Sequence, residues 1–155
     1  MPKRTKEETE LTIQKITDAV VDQLIRLGYD NMSYTTLSKQ TGVSRTGISH
    51  HFPKKTDFTS SLDARIYQMF VKHLDFDNSL QDFVSSWIQG LNNMEFVAIL
   101  KLLFHHIVSA QQAKDFAEKG VARLYHSVKA TFGQSSTKEL DGLLGQSIVQ
   151  MSRQN

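Results

Sequence analysis

Between residues 28 and 53 the chain is interrupted so often that only short helices fit. Gly28 and Gly42 stand where helices would end in the left-handed conformation, and Pro53 disfavours helix at the residue before it. Ser33 and Ser44 each stand where a helix would begin, because a serine side chain can accept a hydrogen bond from a free backbone N–H. The pattern predicts one short helix over 33–41 and another over 44–52, joined by a tight turn at Gly42.

Apolar residues recur at helical spacing on both sides of this segment. Upstream, residues 7–27 carry one apolar face, made of Ile13, Ile16, Val20, Leu24 and Leu27. Downstream, the same spacing predicts helices at 56–74, 80–91, 94–109 and 112–132, and a last helix that a capping box opens at 136–139. We therefore predict an all-α fold of about eight helices, with three helices at the N-terminus and a small helical bundle after them.

Composition excludes several classes of protein. The chain has no cysteine, so disulfides and thiolate metal sites are excluded, and a reducing compartment fits. The first ten residues are charged and do not resemble a signal peptide. The longest apolar stretch, 96–108, is too short to span a bilayer and contains Lys101, His105 and His106. We predict a cytoplasmic protein with no membrane partner.

The net charge of +2 hides a local excess of positive charge. Residues 31–55 include Lys39, Arg45, Lys54 and Lys55 and no acidic residue, while the last hundred residues are close to balanced. Further positive charge stands at the N-terminus, in Lys3, Arg4 and Lys6. A basic segment in an otherwise nearly neutral chain indicates a polyanionic partner at that end.

The segment 37–48 has the pattern of a helix-turn-helix. Two short helices must cross steeply around a tight turn, which needs a small residue at the crossing and a residue that tolerates positive φ in the turn. Ser38 and Gly42 meet these needs, and apolar anchors for the interior are Leu37, Val43 and Ile48. The pattern predicts a DNA-binding motif whose second helix is the recognition helix.

Over about residues 10–60 the chain resembles the TetR family of bacterial transcription regulators. The matching residues are Gly42 to Arg45, Ile48, His50 to Pro53, Lys55, Asp57 and Phe58. The short body and the run 33–58 look most like the LuxT-type branch, which is linked to quorum-sensing circuits. The resemblance implies a DNA-binding domain over 1–55 and a helical dimerisation and ligand-binding domain over 56–155. Thr46 and Ser49 depart from the family, which usually has glycine and a DNA-contacting tyrosine there.

The recognition helix presents its first turns to base edges. Arg45 could donate two parallel hydrogen bonds to guanine, and Thr46 could meet a thymine methyl group or a polar edge. Free N–H groups at a helix start make Thr35 and Thr36 candidates for phosphate contact, and Lys54 would add diffuse attraction. By resemblance, Gly47 lets the backbone approach DNA, and His51 and Lys55 bind phosphate. The predicted DNA-binding residues are Thr35, Thr36, Ser44, Arg45, Thr46, Gly47, Ser49, His50, His51 and Lys55.

A single helix-turn-helix reads too few base pairs to be selective, so we predict a homodimer on a palindromic operator. The last helix offers a large apolar stripe for a chain end, made of Leu140, Leu143, Leu144 and Ile148. Gly142 and Gly145 would let a second helix approach closely. The alternative is that this stripe packs within its own chain.

In the family that the chain resembles, a ligand in the body shifts the spacing of the two DNA-binding domains. Here Trp87, Phe104, His105, His106 and Tyr125 are candidates to line a site for a small-molecule effector. The alternative is that these residues are core, since aromatic residues at helical spacing usually are.

Other functions have less support in the sequence. The chain contains no phosphate loop, no G-x-S-x-G and no H-E-x-x-H, so we predict no enzyme and no cofactor. The adjacent pairs His50–His51 and His105–His106 would point about 100° apart on a helix, which is poor geometry for a shared metal. The alternative function is a TetR-like DNA-bound protein with a nucleoid or cell-division role. A third hypothesis, an interaction module that no longer binds DNA, is disfavoured by the basic segment.

Overall fold

A computed structural model describes residues 5–109 and 114–154, and all regular structure in these residues is helical. It comprises α1 (Lys6–Arg26), α2 (Tyr34–Thr41), α3 (Arg45–His51), α4 (Lys55–Ser61), α5 (Asp63–Val71), α6 (Leu80–Gly90), α7 (Met94–Val108), α8 (Lys114–Phe132), a short 3-10 helix (Gln134–Ser136) and α9 (Thr137–Ser152). The all-α prediction is confirmed. The roles predicted for Lys3 and Arg4, and the helix start predicted at Gln112, lie outside the described residues.

Between residues 28 and 53, the helix ends are set by capping hydrogen bonds and by glycine. Ser33 accepts a hydrogen bond from the Thr36 backbone N–H at 3.1 Å, and the Thr36 hydroxyl accepts one from the Ser33 N–H at 2.9 Å. Gly42 ends α2 in the left-handed conformation, at φ 74°. Ser44 then caps α3 by accepting from the Gly47 N–H at 3.0 Å. These residues form the two short helices that the sequence predicts.

The prediction of a single helix over 56–74 is wrong, because the structure has two helices there, α4 and α5. The division lies at Leu62, whose N–H bonds to the Thr59 carbonyl three residues back. Just before it, the hydroxyls of Thr59 and Ser60 both donate to the carbonyl of Thr56, and the hydroxyl of Ser61 donates to that of Phe58. Such side-chain bonds compete with the backbone ladder and weaken a helix.

The capping box predicted at 136–139 is also wrong. Ser136 lies at the end of the 3-10 helix in a right-handed helical conformation and makes no capping bond to α9. Its buried hydroxyl instead donates towards the carbonyls of Gly133, at 2.5 Å, and Val128, at 3.3 Å. Ser136 therefore closes the end of α8 rather than opening α9.

The chain forms two compact units, Met1–Ile66 and Tyr67–Asn155, which we call the head and the body. The division falls within α5, some ten residues after the domain boundary predicted from the sequence. The head has its own apolar core, which includes Ile16, Val20, Leu24, Met32, Leu37, Ile48 and Phe58. The body core includes Phe70, Phe83, Trp87, Phe96, Leu100, Leu124 and Val128. Within residues 5–109 and 114–154, none of the helices is long and apolar enough to cross a bilayer.

Candidate nucleic-acid interface

The helix-turn-helix consists of α2, the turn at Gly42 and α3. Leu37 and Ile48 are fully buried, so each of the two helices is anchored by one apolar side chain. Ile48 faces the core, while α3 exposes Arg45 in its first turn and Thr46 and His50 on the side opposite Ile48. A short helix anchored on one face and polar on the other can enter a major groove.

Arg45 is the first residue of α3, and its exposed guanidinium has the fork of donors that suits guanine. Ser49 is half-buried, and its hydroxyl donates to the Thr46 carbonyl at 3.1 Å. The rings of His50 and His51 meet edge to face, with centroids 5.1 Å apart. The end of α3 therefore presents two imidazoles side by side, one exposed and one half-buried.

Gly47 has a packing reason to be glycine. A Cβ at this position would lie 3.1 Å from both the Ser44 Oγ and the Val43 Cγ1. A side chain at this position would therefore require Ser44, which caps α3, or the turn residue Val43 to shift by a few tenths of an ångström. This packing role stands beside the close approach to DNA that the family resemblance implies for Gly47.

Two of the predicted phosphate contacts point into the head. Thr36 donates its hydroxyl to the Gln23 Oε1 at 2.6 Å while it completes the capping box of α2. Lys55 donates its Nζ to the Tyr29 carbonyl at 2.5 Å, and the ammonium lies 4.3 Å from the centroid of the Tyr29 ring. Burial lowers the pKa of Lys55, against the opposing charge of Asp30. Thr35, in contrast, is exposed.

A buried polar residue that the apolar pattern of α1 does not predict, Gln23, joins α1 to α2. Gln23 is buried and donates its amide to the Thr36 carbonyl at 3.1 Å and to the Gln40 side chain at 2.7 Å. Gln40 in turn donates to Asp22, which also pairs with Arg26 at 3.1 Å. The sequence does contain an indication of this contact, because Gln23 is a polar residue beside Val20 and Leu24 on the apolar face of α1.

The candidate effector residues lie in different surroundings in the body. Trp87 is fully buried, with its ring 5.5 Å from that of Phe70 and 5.3 Å from that of Phe96, and its indole donates to Ser147 at 2.8 Å. Tyr125 is half-buried and donates to Asp141 on α9. Burial, followed by the contact with Asp141, raises the pKa of Tyr125 to about 12.

The other candidates in the body lie on α7. Phe104 and His105 are half-buried, whereas His106 is fully buried against the ring of Phe116, with centroids 5.4 Å apart. The rings of His105 and His106 lie 5.5 Å apart at an interplanar angle of 63°. Trp87 and His106 are thus core residues of the body, and Phe104, His105 and Tyr125 are the candidates with accessible surface.

The apolar stripe predicted on the last helix is divided between interior and surface. Leu140 and Leu143 are buried within the body, Leu144 is half-buried, and Ile148 is 52% exposed. Val149 is also exposed, and a Cβ added at Gly142 or Gly145 would meet nothing within 4 Å. The outward face of α9 therefore combines two bare glycines with exposed aliphatic side chains.

A family model described as the tetracycline repressor LuxT C-terminal domain matches residues 63–151, which is more than half of the chain. The chain belongs to this family, the LuxT branch of TetR-type regulators. The match runs from α5 to α9 and is separate from the residues at 10–60 that carry the sequence resemblance. This LuxT-type chain is therefore a transcriptional regulator, a class distinct from enzymes. A comparison with curated proteins gives no match.

Proposed function

We propose that this LuxT-type regulator binds a palindromic operator in a sequence-specific manner, as a homodimer, through the exposed face of α3. The observation that carries the proposal is the placing of Ile48 in the core of the head, which leaves Arg45, Thr46 and His50 exposed together. The acid-free segment 31–55 supplies a local field that favours an anionic partner.

The exposed residues would contact different parts of the operator, some the bases and others the phosphates. Arg45 reads a guanine, Thr46 meets a neighbouring base edge, and Ser49 and His50 contact bases or phosphates one turn later. Thr35 and His51 bind phosphate, while Ser44 and Gly47 shape the start of α3. Thr36 and Lys55 would first have to leave their partners inside the head, so we propose that their main role is to hold α2 and α4 in position.

The body would provide pairing and control. We propose that α9 forms the dimer interface through Leu144 and Ile148, with Leu140 and Leu143 supporting it from within. We propose that a small-molecule effector would bind at accessible residues such as Phe104, His105 or Tyr125, with the core residue Trp87 in a supporting role, and would favour one state of the dimer. A cytoplasmic location and a place in a quorum-sensing circuit belong to the same proposal, the latter through the LuxT resemblance.

Selection of bound duplexes from a random library by the purified protein tests the proposal. We expect enrichment of an inverted repeat, and we expect Arg45→Ala to lose the preference for one base pair in each half-site, worth about 1–3 kcal/mol. Equal losses on the selected and a scrambled duplex would contradict the role of Arg45. Salt-sensitive binding with no enriched sequence would instead favour an architectural protein of the nucleoid.

Sedimentation tests the pairing separately. We expect the mass of two chains at micromolar concentration, and we expect the exposed change Ile148→Asp to shift the protein towards one chain without unfolding the body. The matched control is Ile88→Asp, an exposed isoleucine on α6. A wild-type mass of one chain would contradict the homodimer.

A further inference from the structure

A groove of about 840 Å³ lies in the head beside the recognition helix. It is lined by the first half of α1, by the end of α2 with the turn at Gly42, and by the side of α3 that carries Gly47, His50 and His51. The residues that α1 contributes are Thr9, Thr12 and Lys15. Five of the residues predicted to contact DNA thus line a surface that extends beyond α3, namely Ser44, Thr46, Gly47, His50 and His51.

The lining of this groove suits an anion. Its polar side chains are hydroxyls, imidazoles and one ammonium group, and none of the described residues that line it is acidic. Lys15 is exposed on α1. Acidic residues also stand on α1: Glu7 and Glu10 are exposed, Glu8 accepts a hydrogen bond from the Thr5 N–H at 2.9 Å, and Asp18 accepts hydrogen bonds from Arg65 and Gln14, both at 2.9 Å. The charge of Asp18 is therefore directed towards Arg65.

The groove also continues the proposed DNA site. Phosphodiester strands border the major groove, so a strand must pass close to any helix that reads the bases between them. Lysine, threonine and serine side chains are common donors to phosphate oxygens. His50 and His51 would stand between the bases on one side of α3 and the strand on the other.

We propose that one phosphodiester strand of the operator lies in this groove and that Lys15 of α1 binds one of its phosphates. The inference rests on the proposed DNA binding and adds a second wall, α1, to the site. Lys15 contacts no base in this arrangement, so it strengthens binding to every sequence alike and helps to set the register of α3 on the duplex.

The test compares Lys15→Gln with Lys119→Gln, which removes an equal charge from an exposed position on α8, outside the groove. We expect Lys15→Gln to weaken binding about five- to tenfold on selected and scrambled duplexes. It should also lower the salt slope by about 1.8, because the homodimer loses one phosphate contact in each half-site and each contact contributes about 0.9. Lys119→Gln should change affinity less than about twofold, and Lys15→Arg should restore binding, because arginine keeps the positive charge that the phosphate contact needs.

Neutral methylphosphonate groups, placed one at a time along the duplex, locate the contact. We expect one position per half-site at which the neutral group weakens the wild type and has no further effect on Lys15→Gln. Equal effects of the Lys15 and Lys119 variants, with a wild type that binds, would overturn the α1 contact alone. A folded wild type that binds no duplex at any salt concentration would overturn this inference together with the proposed function.

Discussion

In the head, side chains reach across to the backbone of neighbouring segments. Tyr34 donates to the Phe52 carbonyl at 2.6 Å, and Lys55 and Gln23 donate to the carbonyls of Tyr29 and Thr36. Ring contacts in the head join Phe58 to Tyr34 and Phe52, but the body has a larger ring cluster, in which Phe70 stacks on Phe96 with centroids 4.5 Å apart.

Helix length accounts for this difference. In the head, α2, α3 and α4 have seven or eight residues each, so a large share of their backbone groups lies at helix ends without a helical partner. Side-chain donors satisfy several of these groups. In the body, α7 and α8 have 15 and 19 residues and bury continuous apolar faces. Loss of a donor should therefore harm the head, and loss of a ring should harm the body.

The largest effect is expected from Trp87→Ala in the body. The substitution removes a fully buried ring that contacts three other aromatic rings, and it should lower the free energy of unfolding by about 3–5 kcal/mol. Urea unfolding followed by far-ultraviolet circular dichroism measures the loss. The control Ile88→Ala, at the exposed neighbouring position, should cost much less. Similar losses for both variants would contradict the central place of the ring.

Gln23→Leu should give the largest loss among donors in the head. It keeps the side-chain volume but leaves the Thr36 hydroxyl and Gln40 without their buried partner, which costs about 1–3 kcal/mol. The matched control is Gln14→Leu, an exposed glutamine on the same helix whose side chain donates to the exposed Asp18. If the two substitutions cost the same in urea unfolding, the polar link between α1 and α2 does not stabilise the head.

Tyr34→Phe and Tyr125→Phe each remove one hydroxyl, the first from the head and the second from the body. The Tyr34 hydroxyl bonds the Phe52 carbonyl at the end of α3, and its loss should cost about 0.5–1.5 kcal/mol. Tyr125→Phe in the body should cost less, because the exposed carboxylate of Asp141 can bond to water instead. A larger loss for Tyr125→Phe in thermal unfolding would reverse the proposed difference between head and body.

The smallest effect concerns acid stability and Glu95 in the body. Burial alone would raise the pKa of Glu95, but hydrogen bonds from Lys72 at 2.8 Å and His73 at 2.9 Å bring it below the ordinary 4.5. A lowered folded-state pKa stabilises the fold above pH 4.5, and this contribution is lost as the pH falls through the folded value.

We therefore expect Glu95→Gln to lose stability at neutral pH and to show a shallower decline in unfolding free energy below pH 4.5 than the wild type. The control is Glu118→Gln, whose exposed carboxylate pairs with Lys114 at 3.5 Å. Profiles of equal slope for wild type and Glu95→Gln would show that this contact does not contribute to acid stability.

Local signals predicted much of the head. Ser33, Gly42 and Ser44 act within three or four residues of their own positions, so the ends of α2 and α3 could be predicted without knowledge of the fold. The same reasoning failed at Leu62 and Ser136. In those places nearby hydroxyls bond to carbonyls and change the local backbone, a competition that apolar spacing does not reveal.

The sequence by itself determined the helical character of this protein, the helix-turn-helix and the place of Arg45 at the start of α3, because periodicity and capping are properties of short segments. Only the tertiary structure decided which polar side chains remain available to a partner. Thr36 and Lys55 bond to residues 13 and 26 positions away, and Lys15 shares a groove with α3. Contacts over such separations depend on how helices pack. The residue pattern within one segment does not show which other segment lies against it.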